Sequence, residues 1–512
     1  MSDLYDVLVI GSGIGGLTSA ALLAKRGMRV LVLEQSHRIG GCCSAYEKNG
    51  YTFDVGAVFI LAREIYERLF ELLGLRLEDH LEMRLLDPVY DIFFDNGNRV
   101  LIHYDVEKTV EELKAINPRE AERYRDFCRD MSAIWAGSRA AAEVSFKSVE
   151  EVSDPLALAR RVLNPTFLRN LPMTLKTALG SQQKTIDRYF SDSNMKAVVG
   201  FENLYAGLPA NRINGLFTLL SYVCHEGYYY PKGGMVAIPR ALASILGSFG
   251  GELRTGVRVE KILAKDGRAY GVRTTGGEEI AARIVLSNVS CIPTYLDLVG
   301  EEHLSKAFVR ALKGYRVSIP APIVYFGLRE RPPFRCHSAV MVGGLEKINA
   351  YWDEYYAHGL MARIDDLPVG LTFPSLGDDT MAPPGRYAVS ALLPSPYRLK
   401  YSTWDREKPY LIEEVITSIE RRAFPGFGSM VEFAEMTTPL DFERELNLPE
   451  GAIYGLEMSV PHLGPFRASY RSPVLGNLYL AGASTNPGGG VPLVMMSGMF
   501  ATSLILKDMA RR

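Results

Sequence analysis

A short β-branched run, residues 6–10 (DVLVI), leads straight into Gly11-Ser12-Gly13-Ile14-Gly15-Gly16 and then into a helical stretch, 14–26, that Gly27 closes. In G-x-G-x-x-G the first glycine permits a tight strand-to-helix turn, the second lets the backbone approach a pyrophosphate, and the third lets the helix pack closely on the strand. The helix N-terminus then offers unpaired N–H groups and a partial positive charge to phosphates. A second apolar run, 29–33 (RVLVL), ends at Glu34, where an acidic side chain would accept hydrogen bonds from ribose hydroxyls. In a chain with 47 glycines the motif alone is weak. Set between strand and helix, with Glu34 about 20 residues on, it predicts a dinucleotide site in a strand–helix–strand unit. The fingerprint does not choose between FAD and NAD. The segments next along the chain do: Arg38-Ile39-Gly40-Gly41-Cys42-Cys43-Ser44 and Gly50-Tyr51-Thr52-Phe53-Asp54-Val55-Gly56 add a second glycine pair and a short strand, the side-chain-poor track a longer ligand needs.

The rest of the chain narrows the class by exclusion. At 512 residues it exceeds one hydrophobic core, so two joined domains are expected. Hydrophobic residues at 47% and charged residues at 23% describe an ordinary globular protein, and a net charge of −2 argues against a nucleic-acid partner. The six cysteines show no CxxC spacing, which points away from a zinc ribbon and towards free thiols in a reducing cytoplasm. The acidic start Met1-Ser2-Asp3 lacks the basic residues of an export signal. Residues 491–506 are uncharged and mostly apolar, but short for a span and preceded by Pro487-Gly488-Gly489-Gly490, so they read as a buried helix.

Strand character recurs at 251–287, read as an antiparallel meander around the Asp266-Gly267 and Gly276-Gly277 turns, and again at 319–328, 387–393 and 477–483. Long amphipathic segments such as 106–129 mark a helix-rich layer, and a further helix is expected at 405–423. The fold class is therefore α/β: a Rossmann-type nucleotide domain of parallel sheet plus β-meander, made from 1–75, 226–295 and 440–512. An inserted mixed α+β substrate domain takes 76–225 and 296–439.

The sequence resembles the phytoene desaturase and carotenoid isomerase family, within the amine-oxidase-like group of FAD enzymes. The resembling residues are Glu34-Gln35 through Gly41, the Gly50–Gly56 strand, Tyr230-Pro231-Lys232-Gly233-Gly234-Met235, Thr438-Pro439 with Phe442-Glu443-Arg444, and Ala481-Gly482-Ala483-Ser484-Thr485-Asn486-Pro487-Gly488-Gly489-Gly490-Val491-Pro492. They span nearly the whole chain in the family's order. The resemblance implies FAD as cofactor. Gly41, Cys42, Ser44, Gly56 and Ala57 would line the pyrophosphate-to-flavin path, and Val259 would meet the adenine through its backbone. Gly482 and Ala483 would approach the pyrophosphate and ribityl chain, and the helix starting near Gly490-Val491-Pro492 would aim its N-terminus at the flavin ring. The chain departs from the family at Cys42, where desaturases and amine oxidases often carry Arg.

Dehydrogenating an allylic C–H bond needs a dry slot that lays the substrate against the flavin. Candidate walls are Phe201, Tyr205, Phe217, Tyr222, Tyr228-Tyr229-Tyr230 and residues 319–328, each equally readable as core. No catalytic acid or base stands out. His225 beside Glu226 is an acid–base candidate, although a lone histidine is more often structural. The HExxH pattern, a nucleophile elbow and a second G-x-G-x-x-G are all missing, so metal, hydrolase and NAD(P)H-reductase readings fall away. Electrons would leave to oxygen or a quinone, unless the reaction is a redox-neutral isomerisation. Between 155 and 186, Arg160, Arg161, Arg169, Lys176 and Lys184 alternate with leucines, which suggests a basic amphipathic surface for peripheral contact with the inner face of a membrane. The expected function is desaturation or isomerisation of a long isoprenoid or polyene. The alternatives are a flavin oxidase or saturase of another apolar substrate (fatty acid, retinoid or amine), or a non-catalytic lipid-binding flavoprotein.

Overall fold

The glycine-rich unit lies at the centre of a seven-stranded sheet. A computed structural model describes residues 4–142, 165–462 and 464–511. Tyr5–Ile10 is flanked in parallel by Val30–Leu33 on one side and by Glu279–Ser287 on the other, with Val7 opposite both Val30 and Ile284. These strands are buried on both faces and are rich in Val, Ile and Leu, as central parallel strands require. Glu252–Arg254 adds an outer parallel strand beside Val30–Leu33, and Leu478–Leu480 pairs with the end of Glu279–Ser287. That nine-residue strand has two roles. Its first half is antiparallel to Arg268–Thr274, which in turn pairs with Val259–Lys265, and its second half runs parallel to the first strand. The expected meander therefore rejoins the parallel sheet through one shared strand, while Glu252–Arg254, read with it, belongs to the parallel part.

A second seven-stranded sheet runs in the order Val431–Thr437, Ile323–Leu328, Tyr387–Leu392, Val369–Thr372, Ser338–Val342, Tyr90–Phe94 and Arg99–Ile102. The segment read as one long amphipathic stretch at 106–129 is two helices, Val106–Leu113 and Pro118–Ala142. Pro118 opens the second, at the position where its missing N–H costs nothing. The helix expected at 405–423 is Trp404–Arg422.

Three helices pack together behind the glycine loop: Ile14–Lys25, Ala237–Ser248 and Val491–Ala510. The last is, among the described residues, the one helix long and apolar enough to cross a membrane. Here Met495, Ser497, Gly498, Ala501, Thr502 and Ile505 are buried, and Gly498 is a close neighbour of Thr18 and the Gly15 carbonyl. The Ser19 hydroxyl bonds the carbonyls of both Gly15 and Gly498. The two helix N-termini are thereby brought to one place.

Candidate functional site

Both N-termini open on a cavity of about 520 Å³. Neither helix has a side-chain cap or an acidic residue in its first turn: Gly13 precedes one, and Gly490, at φ 105°, precedes the other. Their orphan N–H groups and positive dipole ends are free for an anionic ligand. Around them the wall is main chain. A Cβ on Gly13 would overlap the Asn288 side chain, and one on Gly15 would lie 2.8 Å from Asn288 Oδ1 and 3.1 Å from the Gly482 nitrogen.

Of the sequence-predicted cofactor residues, Gly11, Gly13, Ile14, Gly15, Glu34, Gln35, Gly41, Cys42, Gly56, Ala57, Val259, Gly482, Ala483, Gly490, Val491 and Pro492 line this cavity. Ser12, Gly16 and Ser44 stand behind it; of these Ser44 was expected to line the path, whereas Gly16 makes the helix-to-strand contact the motif implies. Ser12 donates from its backbone N–H and its hydroxyl to Glu34 Oε2, at 2.8 and 2.7 Å. Ser36 N–H donates to Oε1 at 2.9 Å. Glu34 thus braces the loop through Oε2, which accepts twice, while Oε1 keeps a lone pair for a ligand hydroxyl. Gly16 lets the helix sit against the Gly11 carbonyl and Asn288. Ser44, buried, accepts at its carbonyl from Val55 N–H and joins the two chain segments after the glycine pair.

Two residues at this end were not read from sequence. Asn288, just past Glu279–Ser287, lies among Gly11, Gly13, Gly15, Gly16 and Gly482, and its Oδ1 is buried with no partner. A buried acceptor of this kind, on a cavity wall, fits a hydroxyl-bearing ligand. Arg467 is 4% exposed and donates to the carbonyls of Ala483, His462 and Thr485 at 2.5, 2.9 and 3.1 Å. Burial pulls its guanidinium down to about 10. It clamps the loop that Ser497 also holds, through Gly482 N–H at 2.9 Å and the Thr485 hydroxyl at 2.7 Å.

The other end of the cavity is walled by side chains: Phe59, Tyr205, Phe217, Leu220, Tyr454 and Met458. Tyr205 and Phe217 were among the expected walls; Phe59 and Tyr454 were not. The remaining candidates lie outside the wall. Tyr228 stacks on Phe59 at 4.4 Å, Phe201 packs edge-on to Tyr90, Tyr222 donates to Glu226, and Tyr230 donates to Asp54 at 2.6 Å. Tyr229 sits under the Arg63 guanidinium, and Ile323–Leu328 is a central strand of the second sheet.

His225 is not an acid–base group of this cavity. Its ring nitrogens bond the Tyr104 carbonyl and the Tyr124 hydroxyl, each at 3.0 Å, and burial lowers its pKa. Cys42 faces the cavity as a neutral thiol, pushed up to about 12 by burial; Cys43 is raised for the same reason, and the two are unbridged. Among the described residues no cluster of His, Cys, Asp and Glu is arranged to hold a metal. In the basic segment, 155–164 lies outside the described residues. The helix Pro165–Ala178 comes after it, with Leu168, Arg169, Leu175, Lys176 and, just beyond, Leu179 exposed.

A glycine-lined nucleotide half joined to an aromatic half matches what comparison finds. The family model described as flavin containing amine oxidoreductase matches residues 14–506. A lycopene-forming phytoene desaturase of Pseudescherichia vulneris is 28% identical over 99% of this chain and 100% of its own. A zeta-carotene-forming phytoene desaturase of Myxococcus xanthus is 28% identical over 98% and 93%. Among solved structures, an oxidoreductase from Methanosarcina mazei superposes with a TM-score of 0.62 at 17% identity, covering 98% of this chain and 99% of that one. A putrescine oxidase bound to putrescine reaches 0.61 at 15% identity, over the full length of both. These likenesses carry the fold. The chain belongs to the flavin containing amine oxidoreductase family and is a flavin-dependent oxidoreductase.

Proposed function

We propose that the chain uses FAD to desaturate a long apolar polyene of the carotenoid type. The observation that carries this is the single cavity with two unlike halves. Two uncapped helix N-termini and a wall of glycines suit a pyrophosphate; Glu34 and Asn288 suit ribose and ribityl hydroxyls; the wall of Phe59, Tyr205, Phe217, Leu220, Tyr454 and Met458 suits a hydrocarbon. FAD bound there supplies a hydride acceptor for an allylic C–H bond. The protein's own part is to align the chain, keep water out and receive a proton. Relatives at 28% identity over 93% or more of their length are phytoene desaturases, which supports the same substrate class here.

The substrate reaches the slot from a membrane on this reading. Leu168, Leu175 and Leu179 share an exposed face with Arg169 and Lys176, and the turn Gly215–Leu219, which carries Phe217, packs against the same helix. Peripheral contact with the cytoplasmic leaflet, and oxygen or a quinone as final acceptor, complete the proposal.

The test is anaerobic mixing of the holoprotein with phytoene in detergent, following the flavin absorbance and the double-bond count of the product. Bleaching with a gain of double bonds is expected. Unchanged flavin with a shifted cis/trans ratio would make the enzyme an isomerase, and no change with any polyene would overturn the reading.

A further inference from the structure

Behind the aromatic end of the cavity sits a carboxyl group that the hydride-accepting half leaves unused. Glu202 lies in the turn Phe201–Ala206 and is 2% exposed. Its Oε1 accepts a hydrogen bond from the Tyr228 hydroxyl at 3.3 Å, and its Oε2 has no partner. The Tyr90 hydroxyl is also buried without a hydrogen bond of normal geometry, yet it lies near enough to both Glu202 and Tyr205 to favour their ionised forms. Tyr205, three residues along from Glu202, lines the cavity. The groups facing Glu202 are Tyr90 on the strand Tyr90–Phe94, Tyr124 on Pro118–Ala142, Ser221, Cys224 and Tyr228 on the segment 220–228, and Tyr205 on its own turn. Burial holds the phenols and the thiol in their neutral forms. Burial likewise pushes Glu202 up to about 7, against the pull of Ser221, Tyr90 and Tyr228. Unpaired buried polar atoms are costly, and their clustering beside a cavity marks a site that uses them.

We propose that Glu202, reached from the cavity through Tyr205 and Tyr90, takes up the proton that leaves the substrate. The inference rests on the desaturation reading above. In that reaction one hydrogen leaves carbon with both electrons of its bond, to the flavin. The neighbouring C–H bond then breaks heterolytically, and its electron pair becomes the new C=C π bond. The released proton passes to Tyr205 Oη as that hydroxyl's own proton moves to Tyr90 Oη, and the Tyr90 proton moves to the Glu202 carboxylate. Two electrons and one proton go to the flavin side as hydride, and one proton ends on Glu202. Tyr205 is the group that touches substrate; Glu202 and Tyr90 act through it. Asp54 is a poorer terminus, since its oxygens already accept from Tyr230 Oη at 2.6 Å and Met235 N–H at 2.8 Å.

The experiment pairs two readouts on the holoenzyme. Stopped-flow reduction by phytoene should quicken as pH rises through about 7 in the wild type. Glu202→Gln should slow it roughly a hundredfold and flatten the profile, with unchanged FAD fluorescence quenching. Tyr205→Phe should do the same and guards against a misfolded Glu202 variant. Full speed and an intact pH profile in both variants would overturn the relay. The second readout needs no substrate: infrared difference spectra should show two protonated carboxyls titrating near pH 7, Asp54 and Glu202, of which Glu202→Gln removes one and Tyr90→Phe shifts that same one. A Glu202 ionised throughout that titration overturns the relay by itself. A wild type that ignores phytoene but shows the titrating band overturns only the choice of substrate.

Discussion

The two ends of the cavity are built from different material. At the nucleotide end the ligand would meet mostly backbone: Gly11, Gly13, Gly15, Gly41, Gly482 and Gly490 leave N–H groups, carbonyls and dipole ends on the wall beside the side chains of Glu34 and Asn288. At the substrate end it would meet Phe59, Tyr205, Phe217 and Tyr454, with neutral or titrating groups one layer back. A cofactor held for the life of the enzyme is served by a rigid, Cβ-free cradle. A substrate that must slide in and out is served by side chains that can shift and by a proton store that water does not reach. The two ends should therefore fail differently when mutated.

The largest effect is expected at Gly16. A Cβ there would overlap the Gly11 carbonyl oxygen and press on Asn288, and the first of these is backbone that cannot give way. Gly16→Val should abolish flavin binding and cost upwards of about 3 kcal/mol of stability. The measurements are the flavin-to-protein absorbance ratio and urea unfolding. Phe59→Leu, at the other end, should keep full flavin occupancy and change only the kinetics with substrate. Equal loss of flavin in both variants would break the contrast. Next comes Arg467→Met, which strips the donors from the carbonyls of Ala483, His462 and Thr485. Three unpaired acceptors near the ligand should cost about 3 kcal/mol and loosen flavin binding at least tenfold, read by thermal shift and by titration of the apoprotein.

The same contrast decides what could be read from the sequence. Gly11 to Gly16, Glu34 and the 481–492 segment were legible because strand, turn and helix impose their requirements locally, and glycine is the residue that satisfies them. Asn288 was not. It becomes a ligand-facing residue only through the register that sets Ser287 beside Ile10. Tyr454, Phe59, Tyr90 and Glu202 are likewise ordinary residues until long-range packing gathers them. The His225-Glu226 doublet shows the converse: it looks chemical in the sequence, but its structural reading is the one the fold supports, since both ring nitrogens are engaged by Tyr104 and Tyr124. Even among the expected aromatic walls, Tyr205 reaches the cavity while Phe201, four residues earlier, turns towards Tyr90.

The substrate end should also leave a mark on stability. Glu202 and Asp54 are both pushed up to about 7 by burial, from ordinary values of 4.5 and 3.8. The folded protein then keeps protons that the unfolded chain releases, so the contribution of these two groups is fullest below about pH 4 and falls as pH rises from there through about 7, above which both are ionised in the folded state. Glu202 contributes up to about 3 kcal/mol and Asp54 up to about 4 kcal/mol to that fall. Chemical denaturation at a series of pH values should show it, and Glu202→Gln should remove roughly half. A wild-type stability that rises between pH 5 and 8 would show both carboxyls to be ionised and hydrogen-bonded.

The smallest effect is expected on the surface outside the substrate end. The helix Pro165–Ala178 exposes Leu168 and Leu175 at 43% and 49%, and Leu179 beyond it at 85%, flanked by Arg169 and Lys176. Leucines at this spacing face one way, so a single apolar strip with basic edges points outward. A basic residue near an anionic leaflet contributes about 1 kcal/mol, so Arg169→Glu and Lys176→Glu should each weaken binding to vesicles containing anionic lipid several-fold, more at low salt than at high. Leu175→Ser should weaken it independently of salt. The flavin ratio should not move in any of the three, because the nucleotide end is built of other segments. Salt-insensitive binding with all three variants at wild-type affinity would place the route of substrate entry elsewhere on the protein.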